Sequence, residues 1–446
     1  MTLGFNTTGN SQTRDRTTNA ISLGKLRNTL ASTTRKFKFC NSNSPDLNFT
    51  FKCVFNGVTK PSFGQEYANT YHILNEDLGY IDNTQEYITQ EDITEEDLQS
   101  KDNLSKQVKN LVFSGPFSPS QIKKAYSINN ILPSSGVRKS IITIIAAFNN
   151  PYLVRDVSRF GSYFGLPPCN LKIFNFSRRF NSSWAAEVTL DVQWAYAINP
   201  YAEFRVIFAA SNNWNDMFRA VNFANNKNNF SPKIDTDVIS MSFGTNDNGG
   251  LGSYNNYFTN SNTIYVASCG NTSVVSFPSS STNVLSIGGT SIKLNSDNSR
   301  NSETVWSGSG CGYSKSFSKP YYQPSIRNIN LRTTSDVSCI ADPKTGAIII
   351  INGRLYSIGG TSLAAPIYAG MFSLLQQKRL NSKKSTYTSV LNKTNSIQPL
   401  LYNNSNNNCF YDVVSGSSAG YSAGVGFDIP SGLGVFNFAN VINSLG

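Results

Sequence analysis

The sequence predicts an α/β domain built on a mostly parallel sheet, and three observations predict it. Short continuous apolar runs recur through the middle of the chain, helical stretches fall between them, and the last third is rich in Gly, Ser and Asn. Strands covered on both faces need continuous runs, because neither face meets water. Strands alternating with helices imply βαβ units, whose strands run parallel. A loop-heavy end is suited to holding a site.

Taken in order, residues 1–45 are rich in Ser, Thr, Asn, Lys and Arg with little apolar periodicity, and read as a basic arm. Residues 46–75 have mixed apolar character and read as a small structured piece. From Glu76 to Asp102 the chain turns acidic (ITQEDITEEDLQSKD). The plain reading is an exposed charged face or linker; the other is an acidic pro-segment covering a basic domain. The texture changes at Gly115, which divides a region 1–114, a basic arm with a short pro-segment-like part, from a domain 115–446. Within that domain SIITIIAAF (Ser140–Phe148), FRVIFAA (Phe204–Ala210), DVISMSF (Asp237–Phe243), TIYVASC (Thr263–Cys269) and NVLSIGG (Asn283–Gly289) read as strands. AAEVTLDVQWAYAI and WNDMFRAVNFANN read as helices between them.

Composition excludes several classes. The 446 residues carry a net charge of +11, from 38 Lys and Arg against 27 Asp and Glu. No long basic block or zinc-finger spacing accompanies that charge, so a solvated basic surface is expected and a nucleic-acid partner is not. No run of about 18 apolar residues predicts a membrane span. The N-terminus lacks an apolar signal-peptide core, so a cytoplasmic or particle-packaged protein is expected over a classically secreted one. The seven cysteines are scattered, without a CxxC pair, and indicate neither a zinc site nor a disulfide scaffold. The single histidine, His72, lies in QEYANTYHILNED, well before the glycine-rich part.

Two constellations carry chemistry. The first is GGTSLAAPIYAGMFSLLQQ from Gly359, in which small residues surround Ser362 and an apolar helical pattern follows. A Ser at a helix N-terminus gains exposure and nearby N–H donors for a developing oxyanion, although Ser and Thr are also ordinary N-caps. The second is WAAEVTLDVQWAYAINPYAEF, with Glu187 and Asp191 at i and i+4 on one helix face. Taken alone, the pair reads as two solvated acids on an amphipathic helix. Like charges so placed destabilise a helix unless they share a proton or face solvent.

GTSxAAP resembles the nucleophile motif of both subtilisins and sedolisins, and the rest of the chain separates the two. Nothing around His72 resembles the glycine-rich histidine motif of subtilisins, whereas ExxLDxxWAxAIxPxA is similar to the base motif of sedolisins, the serine-carboxyl peptidases. SPSQIKKAYSI from Ser118, DVISMSFG from Asp237, FPSSSTNVLSIGGTS from Phe277, GYSKSFSKPYYQ from Gly312 and DVSCIADPKTG from Asp336 also resemble that family. The resemblance implies a subtilisin-like three-layer domain and a serine-type endopeptidase or tripeptidyl-type exopeptidase acting on peptide or protein substrates. It implies Ser362 as nucleophile, Glu187 as general base, and Asp191 orienting Glu187 by sharing its proton. YDVVSGSSAGYSAGVGFDIPSGLG from Tyr411 is similar to the family's calcium loop. That likeness implies one Ca²⁺ held by Asp412 and Asp428 with the carbonyls of Val413, Gly424 and Gly426, hard oxygen donors that suit the ion.

One position departs from the family. Where relatives have an Asp that donates to the tetrahedral oxyanion, the turn here reads VASCGNTS and places Asn271. An amide donates at any working pH, whereas a carboxyl donates only when protonated. The family's preference for acid is therefore not expected to carry over unchanged. Asn271-Thr272-Ser273 is also a glycosylation sequon. The region before Gly115 is short for the family's pro-domain. Together with Asn271, that shortness feeds the rival reading, a catalytically inactive pseudo-peptidase with a structural or packaged role.

Overall fold

A computed structural model describes residues 67–68, 71–73, 112–226, 235–326, 328–404 and 408–446. The chain divides into two compact units. The larger comprises residues 53–73, 114–294 and 298–446, and the smaller comprises residues 1–52, 74–113 and 295–297. The basic arm (1–45) and the acidic stretch (76–102) expected from the sequence lie outside the described residues. Of the small piece at 46–75, two short strands are described, β1 (Tyr67–Ala68) and β2 (Tyr71–Ile73).

The sheet of the larger unit is α/β, as its pattern predicts. Its strands are β3 (Ile141–Ala147), β4 (Asn170–Asn175), β5 (Glu203–Ala209), β6 (Val238–Met241), β8 (Ile264–Ser268), β9 (Leu285–Asn295) and β10 (Arg300–Val305). They lie side by side in the order β10-β9-β8-β6-β3-β5-β4. Every neighbouring pair is parallel except β9 with β10. β3, β6 and β8 are buried at every position, which is why each reads as an unbroken apolar run. β4 sits at the edge with intermediate or exposed positions throughout, and its mixed composition follows.

Four helices matter for the site: α1 (Leu153–Phe164), α2 (Ser182–Ile198), α3 (Trp214–Ala224) and α4 (Thr361–Asn381). The Asn181 side chain caps α2 by accepting from Trp184 N, and Asn213 caps α3 by accepting from Asp216 N. α2 packs against α1, α4 and β3, and α3 packs against β3 and β5. α2 is buried from Ala186 to Ile198, and α4 from Thr361 to Gln377, so both read as apolar all round rather than striped. The two come close at Gly370, where an added Cβ would lie 2.5 Å from Ile198 Cβ and 3.0 Å from the Ala195 carbonyl oxygen. No helix among the described residues is long and apolar enough to cross a membrane.

Two further features flank α4. β11 (Val337–Ile340) joins β9 in parallel, and a hairpin of β12 (Ala347–Ile351) and β13 (Arg354–Gly359) leads straight into the helix. β2 pairs antiparallel with β13, setting Ile73 opposite Ser357, His72 opposite Ile358 and Tyr71 opposite Gly359. β1 pairs antiparallel with β7 (Phe243–Asn246), setting Tyr67 opposite Gly244 and Ala68 opposite Phe243.

Beneath this end of the sheet lies a fully buried ion pair. Arg332 donates to Asp336 Oδ1 at 2.7 Å and to Oδ2 at 2.5 Å. The same carboxylate accepts from Ser286 N at 2.8 Å and from the Tyr402 hydroxyl at 2.7 Å. Bidentate geometry and added donors are what a charge pair without water needs.

Candidate active site

Ser362 is the second residue of α4. The preceding Gly360 has φ +109°, a left-handed value suited to Gly, and Gly359 abuts Pro343 and the Ala341 carbonyl with no room for a side chain. These glycines turn β13 abruptly into the helix, so the Ser362 amide belongs to the first turn, where N–H groups lack an acceptor within the helix. The positive end of the helix dipole lies there too.

Glu187 and Asp191 project from α2, and both are 1% exposed, as Ser362 is 0%. They are not two solvated acids. Burial and then the neighbouring Asp191 charge push the Glu187 carboxyl well above the usual range, while the Ser362 hydroxyl facing it pulls the other way. The Ser362 hydroxyl is the group that faces this carboxyl and favours its ionised form. Asp191 is also raised by burial and is relieved by the Ser242 hydroxyl, which donates to Oδ1 at 2.6 Å. Asp191 faces Glu187 closely enough for its charge to act on that carboxyl. The two acids are coupled through charge, and Ser242 is what holds Asp191.

Asn271 follows β8 in a turn that begins at Gly270, φ +101°. Its Oδ1 accepts from the Thr361 backbone N–H and from the Thr361 hydroxyl, each at 2.8 Å. The structure thus brings Ser362, Glu187, Asp191 and Asn271 to one place. Asn271 is 6% exposed, so the side chain that glycosylation of this sequon would need is buried. Sequence reasoning missed Ser242 and Thr361. Ser242 had no signal beyond lying in DVISMSFG, and Thr361 only its place beside the nucleophile.

The other predicted residues gather in the C-terminal loops. Asp412 Oδ2 accepts from Gly426 N at 2.7 Å, and Asp428 Oδ2 from Gly424 N at 2.9 Å. Asp428 Oδ1 accepts from Ser431 N at 2.8 Å and from the Ser431 hydroxyl at 2.7 Å. The Val413 carbonyl lies 3.5 Å from the same hydroxyl. Burial raises the Asp428 carboxyl, and the Asp412 charge adds to the rise. The glycines turn amide N–H groups toward these carboxylates. Among the described residues no group of three or more His, Cys, Asp or Glu comes together, and Cys169, Cys269, Cys311, Cys339 and Cys409 are free thiols.

Residues 211–424 match the subtilase family. Sedolisin of Pseudomonas sp. (strain 101) is 35% identical over 187 residues, covering 39% of this chain and 30% of that protein. Tripeptidyl-peptidase 1 of Dictyostelium discoideum is 30% identical over 189 residues, covering 37% of this chain and 29% of that protein. The chain thus spans under a third of the length of these curated relatives. In three dimensions it is similar to Pseudomonas sedolisin, a serine-carboxyl proteinase solved with two molecules of pseudo-iodotyrostatin. The TM-score is 0.62 and the identity 25%, over 74% of this chain and 98% of that one. The sheet, the two buried carboxylates beside a serine at a helix N-terminus, and these likenesses agree: the chain has a subtilisin-like fold and is similar to the sedolisins.

Proposed function

We propose that this protein is a serine-type peptidase in which Ser362 attacks the peptide carbonyl and Glu187 is the base. Ser362 Oγ forms a bond to the carbonyl carbon while its proton passes to Glu187. Asn271 and the Ser362 amide stabilise the oxyanion. The intermediate collapses by breaking the C–N bond, with Glu187 returning the proton to the leaving amine. Water then attacks the acyl-serine, giving up a proton to Glu187, and the ester C–O bond breaks as Glu187 returns that proton to Ser362 Oγ, which restores the free serine and the ionised base.

The observation that carries this reading is the buried Glu187 facing the Ser362 hydroxyl, with its proton affinity raised. A buried carboxyl beside a second acid holds a proton avidly, which makes it a strong base once ionised. Asp191, held by Ser242, tunes that affinity by its charge. A fluorophosphonate label tests the reading: the wild type is expected to be modified at Ser362 and to hydrolyse peptides, and Ser362→Ala to do neither. An unlabelled, inactive wild type would instead support the non-catalytic role.

A pro-segment within residues 1–114 is the second part of the proposal. β7 and β13 each accept an extended strand from the chain's own N-terminal region, as they would accept a peptide, and Ser362 is buried. Intact-mass measurements over time are expected to show the wild type losing this region and Ser362→Ala keeping it.

The third part is one Ca²⁺. Asp412 and Asp428 would supply the charge, and the carbonyls of Val413, Gly424 and Gly426 the neutral oxygens. The observation that favours a cation there is geometric: Asp412 and Asp428 are tied to Gly426 and Gly424 of one glycine-rich loop, which brings two carboxylates to it. The ion would fix these loops and take no part in proton transfer.

A further inference from the structure

The two arms of an amide have nearly the same shape, so something must decide which of them faces the substrate. At Asn271 the deciding contacts come from Thr361. Its backbone N–H and its hydroxyl both lie 2.8 Å from one atom of the Asn271 amide. A backbone N–H only donates, so that atom must be the oxygen; an NH₂ there would set donor against donor. The direction of the hydroxyl is fixed as well. Gly270 N–H donates to Thr361 Oγ1 at 3.1 Å, which leaves the single hydroxyl proton for Asn271 Oδ1. Gly270, Asn271 and Thr361 close a ring in which every donor direction is determined.

We propose that Thr361 is a positioning residue that clamps the oxygen of Asn271 and thereby turns its NH₂ toward the oxyanion formed beside Ser362. The inference rests on the peptidase reading above. Clamp and nucleophile are consecutive residues of one helix turn, so the donor and the attacking oxygen are set by the same backbone. Both members are buried, Thr361 completely, so water offers the amide no alternative partner. The clamp needs only an oxygen at this position. An Asp at 271 would present one equally well, and only the arm facing the oxyanion would change. Position 271 then accepts Asn or Asp without rebuilding the site, and the choice sets the pH range.

The test is a double-mutant cycle on kcat and KM with Thr361→Val, Asn271→Ala and the two combined, plus Thr361→Ser as rescue. Loss of an oxyanion donor costs about 10²–10³ in kcat, so Asn271→Ala is expected in that range. Thr361→Val keeps the backbone N–H of the clamp and is expected to lose less, about 10–10²-fold in kcat, with KM within about twofold. In the Asn271→Ala background the Val substitution is expected to add nothing, and Thr361→Ser to stay within about threefold of wild type. Additive losses, or a Ser variant as impaired as the Val variant, would overturn the inference while leaving the peptidase reading intact. Asn271→Asp supplies a measurement that does not depend on the Val variant folding. It is expected to keep near-wild-type kcat in acid and to lose it toward neutrality, and a profile following wild type throughout overturns the clamp. A wild type that takes no label and cleaves no peptide refutes the peptidase reading and this inference with it.

Discussion

Gly370→Ala tests whether the approach of α2 to α4 sets the distance between base and nucleophile. Two effects oppose each other. Alanine is a better helix former than glycine by about 1 kcal/mol, which favours the variant. Against that, the new Cβ would lie 2.5 Å from Ile198 Cβ, 2.7 Å from its Cγ2 and 3.0 Å from the Ala195 carbonyl oxygen. Carbon atoms pack best at about 3.5–4.0 Å, so the helices must part by about 1 Å. Neither neighbour can step aside, because one is the branch point of a β-branched side chain and the other is backbone. Overpacking of this kind costs about 1–3 kcal/mol, so the clash wins and the net expected loss is up to about 2 kcal/mol. Gly370 lies about 12 Å along the axis from Ser362 at 1.5 Å per residue, so the separation is transmitted to the site. A misplacement of about 1 Å can cost about 10²-fold in rate. Urea unfolding and the second-order rate of fluorophosphonate labelling measure the two consequences. A variant as stable as wild type, or more so, with an unchanged labelling rate would refute the reasoning.

Three other outcomes are expected. The raised acids Glu187 and Asp191 make stability pH-dependent, because a carboxyl with folded pKa above its unfolded value stabilises fully below about pH 4 and loses that contribution as pH rises toward the folded value, about 8 for Asp191. Urea unfolding of wild type should therefore weaken over this window relative to a Glu187→Gln/Asp191→Asn protein, and parallel curves would count against two buried acids. Ser242→Ala removes a charge-assisted bond to Asp191, of the kind that contributes about 1.5–3 kcal/mol, so Asp191 stays neutral to higher pH and its charge no longer raises Glu187. The acid limb of the labelling profile should therefore move to lower pH; an unmoved limb would show that Asp191 does not tune Glu187. Chelation should lower the melting temperature if Ca²⁺ binds the folded state, which adds about 2.7 kcal/mol at a hundredfold excess over Kd, and Asp428→Asn should abolish the response; identical melting curves with and without chelator would argue against the ion.

The parts legible in the sequence were those whose physics is local. β3, β6 and β8 are continuous apolar runs because both their faces are covered, and periodicity reports that directly. The edge strand β4 and the amphipathic α1 were not predicted: β4 alternates irregularly between half-buried and exposed positions, and α1 mixes Arg and Ser with its apolar face. At the site, Glu187 and Asp191 were readable only through the resemblance of ExxLDxxWAxAIxPxA to the sedolisin base motif, since by spacing alone an i,i+4 acid pair looks the same in water. Ser242 and Thr361 were illegible for a different reason. Serine and threonine are common, and what distinguishes these two is an acceptor 51 or 90 residues away in the chain.

The Arg332–Asp336 pair bears on how such a sequence can change over generations. Replacing a buried pair by apolar residues of similar volume is often neutral or stabilising, whereas removing one member alone strands a charge and costs about 3–5 kcal/mol. Here the stranded charge would have no water, since both residues are 0% exposed. A loss of that size is a large fraction of the 5–15 kcal/mol that typically separates folded from unfolded protein. The two alternatives, both charges or neither, are thus divided by single-substitution intermediates that fold poorly. Ser286 N and the Tyr402 hydroxyl deepen the division, because each would lose its acceptor if Asp336 went first. A lineage that acquires this pair can leave it only by changing both positions together or by first gaining stability elsewhere. The pair can therefore persist by descent without being the most stable solution for its site.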